Sequence, residues 1–231
     1  QRDGKLEWFD DLQQQALKIA SDARDELGTM AEDGQIAGCP SPLIASYTSN
    51  ERPFSEIKRE YEQIVAIQAP VVDLFIIETI SNIKEAQAAT EVALQTGKPV
   101  FLSFTLSDKY PNQLRSGETI EEALKSIKQY PLDAFLFNCS FPESISEGLK
   151  AIAHLDKPYG GYANGFTSVD PLKPGKTVDI LSARHDMDEK KYAHHAMDWI
   201  KNGATIIGGI LHCNTITVTI KELTRGTGNS I

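Results

Sequence analysis

The sequence predicts an α/β domain assembled from repeated strand–helix units. Strands are expected to begin near residues 43, 72, 100, 134, 158 and 204, and the run from Ala134, apolar without alternation, suits a strand buried on both faces of a parallel sheet. Helical periodicity fills the intervals, and each unit is close to the ~30 residues that a strand, a helix and a return require. Composition does not shift anywhere along residues 1–231, so the chain reads as one domain. Units of this kind build either an open doubly wound sheet or a closed (β/α)8 barrel.

Taken in order, the chain opens on a helix, with Phe9, Ala16, Ala20, Ala23 and Leu27 at helical spacing. Leu43 to Ser46 reads as a short strand behind Pro40 and Pro42. A helix over 58–70 leads into a strand at Val71 to Ile77, which ends in Glu78 and Thr79. Asn82 and Glu85 read as an N-cap and its reciprocal partner for a helix that Gly97 and Pro99 close. Val100 to Thr105 is the next strand, and Thr119 with Glu122 is a capping box for the helix that follows. A strand from Ala134 ends in Asn138 and Cys139, and Ser144 with Glu147 caps the helix after it. Tyr159 to Asn164 is a strand, and 165–185 is a long loop of the kind that binds or covers ligands. Tyr192, Ala196, Trp199 and Ile200 define one helix face, ended by Gly203. The last strand is Ala204 to Gly209, before a Thr-rich closing helix at Ile216 to Leu223.

Bulk properties exclude several classes of function. The net charge of −9 disfavours duplex nucleic acid and anionic membrane surfaces, since no basic patch is dense enough to offset it. No apolar run approaches 18 residues, and no signal peptide is expected. Three cysteines far apart make no disulfide framework, which favours a reducing compartment; a cytoplasmic protein is expected.

Two strand ends carry soft ligands: Cys139 after the 134 strand, and His212 with Cys213 after the 204 strand. Parallel α/β enzymes keep their chemistry at such ends, so a metal–thiolate site is predicted there. Nothing resembles a Gly-rich phosphate fingerprint after an early strand. Cys39, beside Pro40 in a loop, reads as inert, and His154, His185, His194 and His195 carry no ligand signal. Gly208-Gly209 reads either as a close-packing pair or as a phosphate site of the kind found near the last strands of barrels.

Several blocks in order resemble the homocysteine S-methyltransferase family of zinc-dependent barrels. They are Asp73-Leu-Phe-Ile-Ile-Glu78-Thr79, Val100-Phe-Leu-Ser-Phe-Thr105 with Arg115-Ser-Gly117, Phe137-Asn-Cys139, Tyr162-Ala-Asn164-Gly165 and Ile206-Ile-Gly-Gly209. The resemblance implies a (β/α)8 TIM barrel, without the first two strands and the Asp-Gly-Gly segment they carry. It implies transfer of a methyl group from a sulfonium- or ammonium-type donor to the thiol of homocysteine, giving methionine, with Zn2+ as cofactor. Cys139 matches the first zinc ligand. Glu78 matches the acidic residue that binds the homocysteine amino group, and Asn138, neighbour of the ligand, is placed with it as substrate-binding. Where the family has Cys-Cys after Gly-Gly, this chain has Ile210-Leu211, so His212 and Cys213 are the candidates for the remaining ligands.

Zinc is the natural answer to the chemical problem, because a free thiol with a pKa near ~8.5 is mostly protonated at neutral pH and a metal removes that proton. Two rival readings stand beside this one: a metal-free barrel that binds a phosphorylated ligand at Gly208-Gly209, and a truncated or decayed homologue with neither zinc nor turnover. If the polypeptide begins at Gln1, an open edge where two strands are lacking predicts poor solubility or pairing with another chain, a homo-oligomer included.

Overall fold

The computed structural model describes residues 6–31 and 33–209. Its six strands are β1 (Ala37–Gly38), β2 (Leu74–Ile80), β3 (Val100–Phe104), β4 (Ala134–Asn138), β5 (Tyr159–Tyr162) and β6 (Ile206–Ile207). Helix α1 (Phe9–Leu27) precedes them. The crossovers carry α2 (Phe54–Gln68), α3 (Ile83–Leu94), α4 (Ile120–Ile127), α5 (Pro142–Ile152) and α6 (Glu189–Lys201). Every neighbouring pair is parallel, and the spatial order is the chain order, β1 to β6.

That order decides between the two architectures. Parallel crossovers are right-handed, so steps that always move the same way keep every helix on one side of the sheet, as in a barrel. A doubly wound sheet reverses direction and places helices on both faces. The domain is therefore an incomplete (β/α)8 barrel, with six strands among the described residues.

Strand alternation sorts the side chains. Phe75 and Ile77 on β2, Val100, Leu102 and Phe104 on β3, and Phe135 and Phe137 on β4 join the hydrophobic core under the helices. Phe135 meets Phe137 edge-on at 5.4 Å between ring centres. The opposite, barrel-side face carries Glu78, Ser103, Asn138 and Tyr162, and it ends in chemistry rather than packing. Strand entries share one device. Asp73 exchanges two bonds of 2.7 Å with the Ile36 backbone, and Asp133 accepts from the Val100 amide at 2.8 Å while its own amide donates back at 3.0 Å.

Several local expectations are corrected. The strand placed at Leu43 to Ser46 is a loop, and the first strand lies earlier, at Ala37–Gly38. The Leu43 amide is spent on Glu85 Oε1 instead of a strand ladder. Glu85 does not return the Asn82 cap; Asn82 accepts from the Glu85 amide, while the Glu85 carboxyl is bonded by Leu43, Asn50 and Tyr61. Ser144 caps nothing, because Pro142 already opens α5, with Phe141 at the N-cap position. The Thr119–Glu122 capping box is formed as expected. His212, Cys213 and the closing helix at Ile216 to Leu223 fall outside the described residues.

Candidate active site

The carboxyl ends of β2 and β4 converge on one mouth, and backbone strain marks the spot. Tyr47, Thr79 and Cys139 have φ of 64°, 61° and 53°, in the left-handed region that non-glycine residues avoid. For a β-branched residue such as Thr79 this costs on the order of 1–3 kcal/mol and persists only where the surroundings over-determine it. The three residues touch through one atom, the sulfur of Cys139. Thr79 Oγ1 donates to it at 3.6 Å, and the Tyr47 hydroxyl also reaches it. Asn138 Nδ2 donates to it at 3.1 Å.

Glu78 sits beside this sulfur, with both carboxylate oxygens engaged. Tyr162 donates its hydroxyl to Oε2 at 2.6 Å, across the barrel-side face from β5. The Cys39 thiol donates to Oε1 at 3.1 Å from the loop after β1. Burial, and next the charge of Glu78, push the Cys39 thiol up to about 12. Cys39 is thus a held proton donor at neutral pH. The Tyr162 hydroxyl is raised for the same two reasons, burial first.

Burial is also the largest influence on Cys139 and raises its pKa; Glu78 adds to the rise, while the bonds from Thr79, Tyr47 and Asn138 oppose it. A sulfur ringed by donors is the setting of a thiolate, yet burial keeps this one protonated unless a cation compensates. That environment fits a single metal-ligating thiolate. Among the described residues no group of three His, Cys, Asp or Glu side chains converges to hold an ion. His212 and Cys213, the other expected ligands, lie outside those residues.

A second ring supports the first. Arg115 lies over the Tyr47 ring, 4.9 Å from its centre, donates to Thr105 Oγ1 at 3.2 Å and pairs with Asp108. Asp108 in turn accepts from the Phe141 amide at 2.7 Å, tying the loop after β3 to the start of α5. A cavity of about 440 Å³ opens beyond Tyr47 and Arg115, between the loops that follow β3 and β5. The long loop is pinned at its base by the Arg184 amide on Gly165 O at 2.7 Å, and Arg184 grips Glu143 with two bonds of 2.8 Å.

The structure brings together Glu78, Asn138 and Cys139, as the sequence reading placed them. Asn138, however, is fully buried among protein partners instead of facing an open site. Cys39, read as inert, belongs to the cluster; misplacing the first strand hid the fact that Cys39 directly follows β1. Tyr162 is opposite Asn138 in the β4–β5 register, a pairing that alternation could have revealed. Tyr47 carries no sequence signal. Gly208 packs tightly: its amide donates to Gly161 O at 3.3 Å, and a Cβ there would come within 2.9 Å of Tyr162 Cβ. Its amide is therefore committed to the sheet, which supports the close-packing reading of the glycine pair over the phosphate one.

The profile of the family described as homocysteine S-methyltransferase matches residues 2–226. The chain belongs to this family. It is 32% identical over 243 residues to homocysteine S-methyltransferase 1 of Arabidopsis thaliana, covering 95% of this chain and 72% of that protein. It is 26% identical over 216 residues to the selenocysteine methyltransferase of Astragalus bisulcatus, covering 92% of this chain and 59% of the other. The metallated form of the homocysteine methyltransferase MmuM from Escherichia coli superposes with a TM-score of 0.72 at 19% identity, over 93% of this chain and 70% of MmuM. At that identity the likeness establishes the shared fold. No helix among the described residues is long and apolar enough to cross a membrane.

Proposed function

We propose that this homocysteine S-methyltransferase family member transfers a methyl group from a sulfonium- or ammonium-type donor to the thiol of homocysteine, with Zn2+ as its metal. The observation that carries this reading is the meeting of Glu78 and Cys139 at one mouth, each with its polar partners already in place. A carboxylate suits the ammonium end of an amino acid, and a donor-ringed sulfur suits a metal beside the thiol end. Cys139 would hold the ion with His212 and Cys213, and the bound ion would supply a deprotonated, aligned substrate sulfur.

The residues of the chain do the rest. Glu78 anchors the amino group, and Tyr162 and Cys39 fix the direction of its carboxylate. Tyr47, held by Arg115, shields Cys139 from the adjoining cavity, where a small methyl donor has room. Direct transfer between two sulfur or nitrogen centres needs mainly this alignment and the exclusion of water.

The test is methionine formation from homocysteine by the zinc-supplemented full chain, with S-methylmethionine, betaine and adenosylmethionine as separate donors. The expected result is turnover with at least one donor, reduced to background by a chelator and by Cys139→Ala. Undiminished turnover in Cys139→Ala would overturn the reading.

A further inference from the structure

Asn138 stands directly before Cys139, yet its side chain has nothing left to offer a ligand. It is 0% exposed. Its Oδ1 accepts from the Thr79 amide at 2.8 Å and from the Ser103 hydroxyl at 2.7 Å. Its Nδ2 donates to Thr79 Oγ1 at 2.8 Å and to Cys139 Sγ at 3.1 Å. A carboxamide has two donor hydrogens and two acceptor lone pairs, and all four are in use.

We propose that Asn138 is a positioning residue: a clip that joins the left-handed turns after β2 and β4 and thereby fixes the Cys139 sulfur relative to Glu78. This rests on the reading of Cys139 as a metal ligand and Glu78 as the amino-group anchor.

Three observations support the clip. Thr79 and Cys139 are both strained, at φ 61° and 53°, and the Asn138 side chain bonds both of them. Strained residues survive where neighbours over-determine them; Tyr162 O, Asn164 Nδ2 and Thr105 Oγ1 hold the Cys139 backbone, and the Asn138 side chain ties that turn to the one at Thr79. The clip spans three adjacent strands, since Ser103 of β3 lies between β2 and β4 and donates to the same oxygen. It also acts on the sulfur itself. A hydrogen bond from Nδ2 orients a thiolate toward an ion and withdraws charge from it, and partners of this kind change metal affinity by roughly 10–100-fold when lost. Glu78 is the residue before Thr79, so the clip sets the span that one amino-acid substrate must bridge.

Asn138→Asp discriminates this role from substrate contact, because it keeps an acceptor for Thr79 and Ser103 but removes both N–H donors. Ser103→Ala is a milder second variant that removes one bond of the clip and contacts neither the sulfur nor the carboxylate directly, although its hydroxyl also meets that of Tyr162. Each full-length protein is titrated with Co2+, and the sulfur-to-cobalt charge-transfer band is recorded together with melting temperature, kcat and homocysteine KM. The expected result is a Co2+ affinity weakened roughly 10–100-fold in Asn138→Asp, with a shifted band and a fall in kcat exceeding any rise in KM. Ser103→Ala should move the same way by a few-fold, with a melting temperature lowered by only a few degrees. If Asn138→Asp does not fold, the Ser103→Ala band and affinity decide alone. Parental Co2+ affinity and band in a folded variant, with a raised homocysteine KM, would overturn the clip and return Asn138 to substrate contact. A parent protein with no charge-transfer band, unaltered by Cys139→Ala, would overturn the metal reading and the clip together.

Discussion

The mouth at the ends of β2 and β4 and the outer surface of α1 break opposite rules of burial. At the mouth, Asn138, Ser103 and Thr105 are polar and wholly buried. Along α1, Leu12, Ile19 and Leu27 are apolar and half or more exposed, at 57%, 68% and 50%. An exposed leucine on a helix is common and says little about function. A buried amide with four bonds, flanked by strained residues, needs a reason, because burying polar groups is costly unless every partner is supplied. Functional information in this molecule therefore lies where burial and polarity coincide.

Substitutions can break or sharpen that contrast. The largest effect is expected from Arg115→Met. Arg115 and Asp108 are each only 10% exposed, and removing the arginine strands a buried carboxylate and frees Tyr47. Loss of one partner of a buried pair costs roughly 3–5 kcal/mol, which urea denaturation would report. A loss under about 1 kcal/mol would show that the second ring does not brace the mouth.

Next in size is Tyr162→Phe, which removes the 2.6 Å bond to Glu78 and leaves the packing of the ring in place. A hydrogen bond to a charged group contributes roughly 1.5–3 kcal/mol, so homocysteine KM should rise about tenfold or more with kcat little changed. An unchanged KM would detach Glu78 from the amino group.

A smaller, pH-dependent effect belongs to Glu85, which pins the loop carrying Cys39 and Tyr47 through Leu43 and Asn50. Burial, its largest influence, raises Glu85 above the ordinary carboxyl value of 4.5. The folded chain then keeps a proton that the unfolded chain has released. The associated stability is fully present below pH 4.5 and declines as pH rises through the folded value. Glu85→Gln abolishes that titration, so denaturation at pH 4.5 and 8 should show the variant gaining on the parent at the higher pH. A difference that is flat with pH would contradict the buried, proton-retaining carboxyl.

The smallest effect is on α1, where Ile19→Gln should change stability by no more than about 0.5 kcal/mol. A larger loss would mean that the outer face of α1 is covered in solution.

Much of this was legible in the residues. Strands β2, β3 and β4 announce themselves as unalternated apolar runs because both sheet faces are largely buried, and the Thr119–Glu122 box marks α4 to the residue. The first strand was misread because Leu43 to Ser46 looks apolar, whereas prolines and the Glu85 bond hold it as a loop; the true strand, Ala37–Gly38, is too short for periodicity to detect. Glu78 and Cys139 were readable as strand ends. Asn138 was readable in position but not in role, since saturation of its amide depends on Thr79, Ser103 and Cys139 arriving from three strands. Cys39 and Tyr47 flank the misread stretch, and without the true first strand Cys39 reads as inert and Tyr47 carries no signal.

The central claim is that an amino-acid thiol surrenders its proton beside Cys139 while Glu78 holds the other end. Calorimetric titration of the zinc-loaded protein with homocysteine at pH 7.5, repeated in buffers of different ionisation enthalpy, counts protons released on binding. The account predicts close to one proton released per homocysteine, none with methionine, and no release in Cys139→Ala. Homocysteine binding with no proton released would contradict it.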